Sequence, residues 1–133
     1  MKLNVMTEYH SPLTLEKLEI VEGIFRKKDS VVDELDLTIR PQYRVEEQSG
    51  DFYCVTLSLT LADKNEEIYI HVKGKALFHT TSDNRILIQK NTLAIMFPYL
   101  RSYITSLTAN PGFTPIVLPP MNIVAMLEEM DKS

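Results

Sequence analysis

Tyr53-Cys54-Val55-Thr56-Leu57-Ser58-Leu59-Thr60-Leu61, residues 53–61, alternates large apolar side chains with small ones and does not break step. Successive side chains of an extended chain point to opposite faces, so a period of two describes a strand with one face in a core. The pattern continues in both directions. Upstream, Leu35, Leu37, Ile39, Tyr43 and Val45 share one phase, and Asp36, Thr38, Arg40, Gln42, Arg44 and Glu46 share the other. That predicts a long half-buried strand over 35–46. Pro41 within it cannot donate a ladder hydrogen bond, which places it at an edge, a bulge or a break. Downstream, Ile68, Ile70, Val72, Ala76 and Phe78 alternate with Tyr69, His71, Lys73, Lys75 and His79. Residues 48–51 and 63–66 are short polar turns, and turns this short join neighbouring antiparallel strands. Residues 18–26 form a less regular first strand, with Gly23 as its expected bulge.

After Asn84 the period changes. Leu93, Phe97, Leu100, Ile104 and Leu107 recur at spacings of four, three, four and three, which is one face of a helix. Pro98 lies within that stretch, so the helix begins near it or bends there. Asn110, Pro111 and Gly112 end it. A proline-punctuated connection over 113–120 leads to a second helix with Asn122 as its cap. Ile123, Met126 or Leu127, and Met130 form its apolar side. Glu128, Glu129 and Asp131 sit at its C-terminal end, where the helix dipole disfavours anions, so it should be short. Strands followed by helices define an α+β fold. The expected architecture is a four-stranded antiparallel β-meander followed by two helices covering one face, in a single domain over 1–133. Residues 1–17 carry no clear pattern; they either add a strand or stay mobile.

Composition narrows the function classes. The formal net charge of −4 argues against nucleic acid, whose affinity comes from clustered Lys and Arg. Cys54 is the only cysteine, which rules out an intrachain disulfide and reads as a small core residue. Residues 2–8 are too short and polar for a secretion signal, and the longest apolar run, 93–100, is far below a bilayer span. A cytoplasmic location without membrane insertion follows. His10, His71 and His79 lie too far apart to share a metal, and the glycines form no phosphate loop. No serine or cysteine lies in a nucleophile motif, and Asp33-Glu34, Glu46-Glu47 and Glu66-Glu67 read as solvated turns. The expectation is a protein without catalytic residues, metal or cofactor.

What remains is apolar chemistry. Phe113, Ile116, Val117, Leu118 and Met121 lie in a connection broken by Pro115, Pro119 and Pro120. Loops are ordinarily polar and solvated, so an apolar one either closes a core or an oligomer interface, or offers a binding wall. Met121, Met126 and Met130 add flexible, polarizable side chains suited to promiscuous apolar contact. The candidate wall is Phe113, Ile116, Leu118, Met121 and Met126. Beyond this main reading, a carrier of small apolar ligands in the sheet–helix cleft is a further class.

Phe97-Pro98-Tyr99, Arg101, Ile104 and Leu107 resemble the first-helix signature of the SecB export chaperones, Phe-Pro-Tyr-Ala-Arg followed by a spaced Ile and Leu. Phe113, Pro115, Leu118, Pro120, Asn122, Ile123 and Leu127 resemble that family's crossover loop and second-helix start, with one extra residue between Phe113 and Pro115. Asp51-Phe52-Tyr53 is similar to the start of its third strand. The resemblance implies a dimer-of-dimers assembly, here a homodimer or tetramer, with helices between sheets. It also implies ATP-independent binding of unfolded polypeptides along the crossover loop and second helix, in export or as a chaperone dedicated to one partner such as an antitoxin. Two departures count against docking to the SecA motor. The family's docking face is acidic, whereas this polar phase carries Arg40, Arg44, His71, Lys73 and Lys75 against Asp36, and little chain follows the second helix.

Overall fold

The computed structural model describes residues 13–28 and 34–131. Strands β1 (Thr14–Lys27), β2 (Thr38–Gln48), β3 (Phe52–Ala62) and β4 (Ile68–His79) precede helices α1 (Arg85–Thr108) and α2 (Ile123–Asp131). All strand pairs are antiparallel, in the order β1-β4-β3-β2. Strands β2, β3 and β4 meander as expected, whereas β1 joins the far side of β4. Short turns dictate only the contiguous pairs, and β1 is free of that constraint. Pro41 lies on β2 at the sheet edge, opposite Leu59. Of the N-terminal segment 1–17, residues 1–12 lie outside the described residues, and β1 begins at Thr14.

The alternation of β3 puts Val55, Leu57, Leu59 and Leu61 at essentially zero exposure on one face. Register brings Ala76, Gly74, Val72 and Ile70 of β4 beside them. Over this floor lies α1, which buries Ile88, Leu93, Met96, Phe97, Leu100 and Ile104. Burial of each large aliphatic side chain is worth about 1.5–3 kcal/mol, and these layers account for most of the core. Helix α2 adds Ile123 and Leu127 and packs against α1 and β2.

Three readings change. The bulges of β1 fall between Leu15 and Lys17 and between Ile20 and Glu22, not at Gly23. Gly23 pairs with Val72 and instead makes room for the Tyr103 ring: a Cβ there would stand 2.4 Å from the Tyr103 hydroxyl oxygen. The helix starts at Arg85, not near Pro98, and runs through the proline. Pro98 and Ala94, whose carbonyl loses its helical partner, are both on the exposed side of the helix. Cys54 faces away from the core, half-buried and opposite Glu46 and Leu77.

Helix α1 starts where the period changes. The Asn84 side chain accepts the Leu87 N–H at 3.1 Å, and its carbonyl accepts the Ile88 N–H at 3.0 Å. Gly74 fixes how close the helix comes, since an added Cβ would lie 2.8 Å from Leu100 Cδ1. Gly74→Ala should therefore destabilise by about 1–3 kcal/mol through overpacking, and Leu100→Ala by about 2–5 kcal/mol through a cavity. In the double variant the added methyl occupies part of the vacated space, so urea midpoints should give a combined loss well below the sum. Strict additivity would mean that the two residues do not set each other's packing.

Candidate functional site

The connection between the helices, residues 109–122, crosses the helical face of the sheet. Its first apolar residue, Phe113, stacks on Phe25 of β1 at 5.1 Å between ring centroids and 53° between planes. Lys27 Nζ stands 5.9 Å from the same ring. At the other end α2 packs on β2, the opposite edge of the sheet. Phe113, Ile116, Leu118, Met121 and Met126 are all half-buried and lean on the core. The structure strings them across the sheet instead of gathering them into one pocket. Val117, between them, is 74% exposed. The side chain of Met130 lies outside the described residues.

An apolar loop still has polar backbone to satisfy, and α1 does so with two threonines. Thr105 Oγ1 donates to the Ile116 carbonyl at 2.8 Å, and the Ile116 N–H donates to Thr108 Oγ1 at 2.9 Å. Thr108, fully buried, in turn donates to the Ile104 carbonyl at 2.9 Å. Both peptide groups of Ile116 are thus held by side chains one turn apart on α1. That leaves the apolar side chains of the loop fastened in place with little polar competition. Sequence reading passed over Thr105 and Thr108. A threonine in the last turn of a helix ordinarily bonds its own preceding turn, and nothing local marks the distant partner.

The second helix is capped at its start and tied to α1 by an ion pair near its end. Asn122 Oδ1 accepts the Ala125 N–H at 3.0 Å, the cap read from the sequence, and Lys90 pairs with Glu128 at 3.1 Å across to α1. A cleft of about 180 Å³ lies between the helices, floored by Leu93, Val124 and Leu127.

The two described histidines, His71 and His79, serve the sheet, and His10 lies outside the described residues. His71 contacts Thr60 Oγ1 at 2.9 Å and Glu22 Oε2 at 3.0 Å, joining β3, β4 and β1 across the polar face. His79 packs edge-on to Phe52 at 4.9 Å. Among the described residues no cluster of His, Cys, Asp or Glu could hold a metal ion, and no helix is long and apolar enough to cross a membrane.

A four-stranded antiparallel sheet, both helices on one face and an apolar crossover pinned between them define a SecB-like α+β protein. The family model described as preprotein translocase subunit SecB matches residues 1–133, and the chain belongs to the SecB family. Relatives are distant. The protein-export protein SecB of Rickettsia akari is 25% identical over 131 residues, which is 93% of this chain and 84% of that protein. An uncharacterised protein of Methanocaldococcus jannaschii is 23% identical over 126 residues, covering 89% of this chain and 81% of that one. Among solved structures, a SecB-like chaperone of Mycobacterium tuberculosis, in complex with a peptide from an antitoxin, superposes with a TM-score of 0.69 at 13% identity. The match covers 82% of this chain and 89% of the other.

The threonine clasp makes a specific demand. Thr108→Val keeps the shape but orphans the Ile116 N–H, a loss of about 1–3 kcal/mol for a buried donor. Amide exchange over 113–118 should speed up while β3 and β4 keep their protection. Uniform acceleration over the whole chain would show that Thr108 matters to the core and not to the loop.

Proposed function

We propose that this SecB-family protein is an ATP-independent holding chaperone that captures unfolded polypeptide along the crossover strip, without catalysis or cofactor. The observation that carries this reading is the pinned apolar loop. Phe113, Ile116, Leu118, Met121 and Met126 present half-buried apolar surface on a loop whose Ile116 N–H and carbonyl are already bonded to α1. A strip laid across three strand spacings, roughly 14 Å, accommodates about four residues of extended chain. Binding would act by mass action: holding the unfolded state lowers its free concentration and delays aggregation.

The assembly we infer is a homo-oligomer. Val21 and Ile24 on edge strand β1 are 45% and 37% exposed, and Ile86, Leu87 and Tyr99 on α1 are 70%, 47% and 51% exposed. A 14-residue edge strand with apolar side chains invites pairing with another chain. Light scattering at micromolar concentration should report a dimer or tetramer; a monomer would remove this inference.

The strip is tested by Ile116→Ser with Met121→Ser. Loss of two apolar contacts should weaken binding of an unfolded client by about 30-fold, roughly 2 kcal/mol, with helicity and particle size unchanged. Because both residues also lean on the core, Val117→Asp serves as a second variant, its parent being already mostly in water. If the fully folded variants hold clients as well as the parent, the strip is not the binding wall.

A second reading is a chaperone with one dedicated partner. The antitoxin peptide on the mycobacterial protein favours it, although 13% identity carries only the fold. Suppression of aggregation for several unrelated clients supports the general chaperone, and suppression for one alone supports the dedicated one.

A further inference from the structure

The face of the sheet turned away from the helices has a pattern of its own. Register aligns its rows across the strands: Arg44, Thr56, Lys75 and Glu19; then Gln42, Ser58, Lys73 and Glu22; then Arg40, Thr60, His71 and Ile24. The middle strand β3 thus offers a line of hydroxyls, and its neighbours raise long cationic side chains on both sides. A hollow of about 400 Å³ lies between them, lined by Gln42, Arg44, Thr56, Ser58, His71 and Lys73, with Tyr43 and Glu46 at its rim. On this face β2, β3 and β4 carry four cations, Arg40, Arg44, Lys73 and Lys75, and one carboxylate, Glu46. Strand β1 adds Lys17 and Arg26 against Glu19 and Glu22, which is balanced. The surplus is positive on a chain whose net charge is −4.

Much of the acid is already engaged. Glu46 pairs with Arg44 at 3.0 Å, Glu22 with His71 at 3.0 Å and Lys73 at 3.9 Å, and Glu19 with Lys17 at 3.9 Å. Arg40 and Lys75 have no ion-pair partner among the described residues. Each carboxylate in these pairs is about half exposed, so the pairs are weak and open readily to a better-placed anion.

We propose that this trough docks an extended acidic segment of a partner protein, running along β3 with carboxylates at alternating positions. The dimensions select the occupant. Strands β2 and β4 stand about 10 Å apart across β3, the width of one extended chain and half that of a nucleic-acid duplex. Successive rows are two residues apart, about 6.8 Å, which is also the distance between alternate side chains of an extended peptide. Carboxylates at i, i+2 and i+4 therefore meet Arg44 and Lys75 in the first row, Lys73 in the second and Arg40 in the third, and serine or threonine hydroxyls below them donate further hydrogen bonds. The Thr56–Ser58–Thr60 floor itself carries no aromatic ring, but Tyr43 and His71 line the hollow, so a single-stranded oligonucleotide is the competing occupant that the test must exclude.

The test uses the intact protein and a fluorescent peptide with a Glu-Ser-Glu-Ser-Glu core, followed by anisotropy. The peptide has no large apolar residue, so the crossover strip does not retain it. Binding should weaken as salt is raised, fail for the Gln-for-Glu peptide, and fall at least about tenfold in Arg44→Glu with Lys75→Glu. Both side chains are well exposed, and circular dichroism would verify the fold; should that pair not fold, Arg44→Gln with Lys75→Gln replaces it. The proposal is overturned by no binding at millimolar peptide, by equal binding to folded variant and parent, or by a single-stranded oligonucleotide binding more tightly than the peptide.

Discussion

The seat of helix α1 on the sheet is the constraint from which the other features follow. Leu100 lies over Gly74 of β4, and Tyr103, one turn on, lies over Gly23 of β1. In the register Ile20 pairs Gly74 and Gly23 pairs Val72, so the two glycines form adjoining gaps on neighbouring strands. A side chain at either position would lift the helix, and a helix that rides higher buries less of β3 and β4. Because this contact sets the axial position of α1, it also determines where the last turn ends. Thr105 and Thr108 reach Ile116 only from that position, and the crossover strip inherits its placement from a packing detail within about two turns of them.

Much of this was legible. The alternation over 53–61 and 68–78 marks the core faces of β3 and β4, and every apolar residue of that phase is buried. Proline in β2 pointed to an edge, and an edge it is. The change of period after Asn84 marks the true start of α1, although the sequence left open whether the helix began near Pro98 or bent there. The reason lies in residues 86–88, where Ile86, Leu87 and Ile88 are contiguous and only Ile88 is buried. Three adjacent apolar residues blur a 3.6-residue period, since exposed ones contribute the same hydropathy as the buried one.

Less accessible were features that depend on partners distant in the chain. Periodicity assigns a face to each residue of β1 but not a neighbouring strand, and the choice of β4 over β2 places Glu19 and Glu22 beside Lys75 and Lys73. Read without β1, the polar face looked like a cationic phase alone; with it, the face is a cationic trough with an acidic margin. The candidate strip was visible as composition, five apolar residues in a loop. Its rigidity was not, because Phe25 and the two threonines are ordinary residues of a strand and a helix until the loop is laid against them.

The sheet divides its labour by phase. Along each of β2, β3 and β4, one residue in two builds the core under the helices, and the other builds the open face. The two sets share a backbone and almost no side-chain contact, so a change of charge on the open face costs the core little. Membership in the family is carried by the buried phase, the helix stripe and the crossover. The open face is free of that constraint, so distant relatives can keep one fold while differing in what they meet there. Arg40, Arg44, Lys73 and Lys75 lie on the side of the sheet that the fold leaves unspecified, which is where a partner particular to this protein would be recognised.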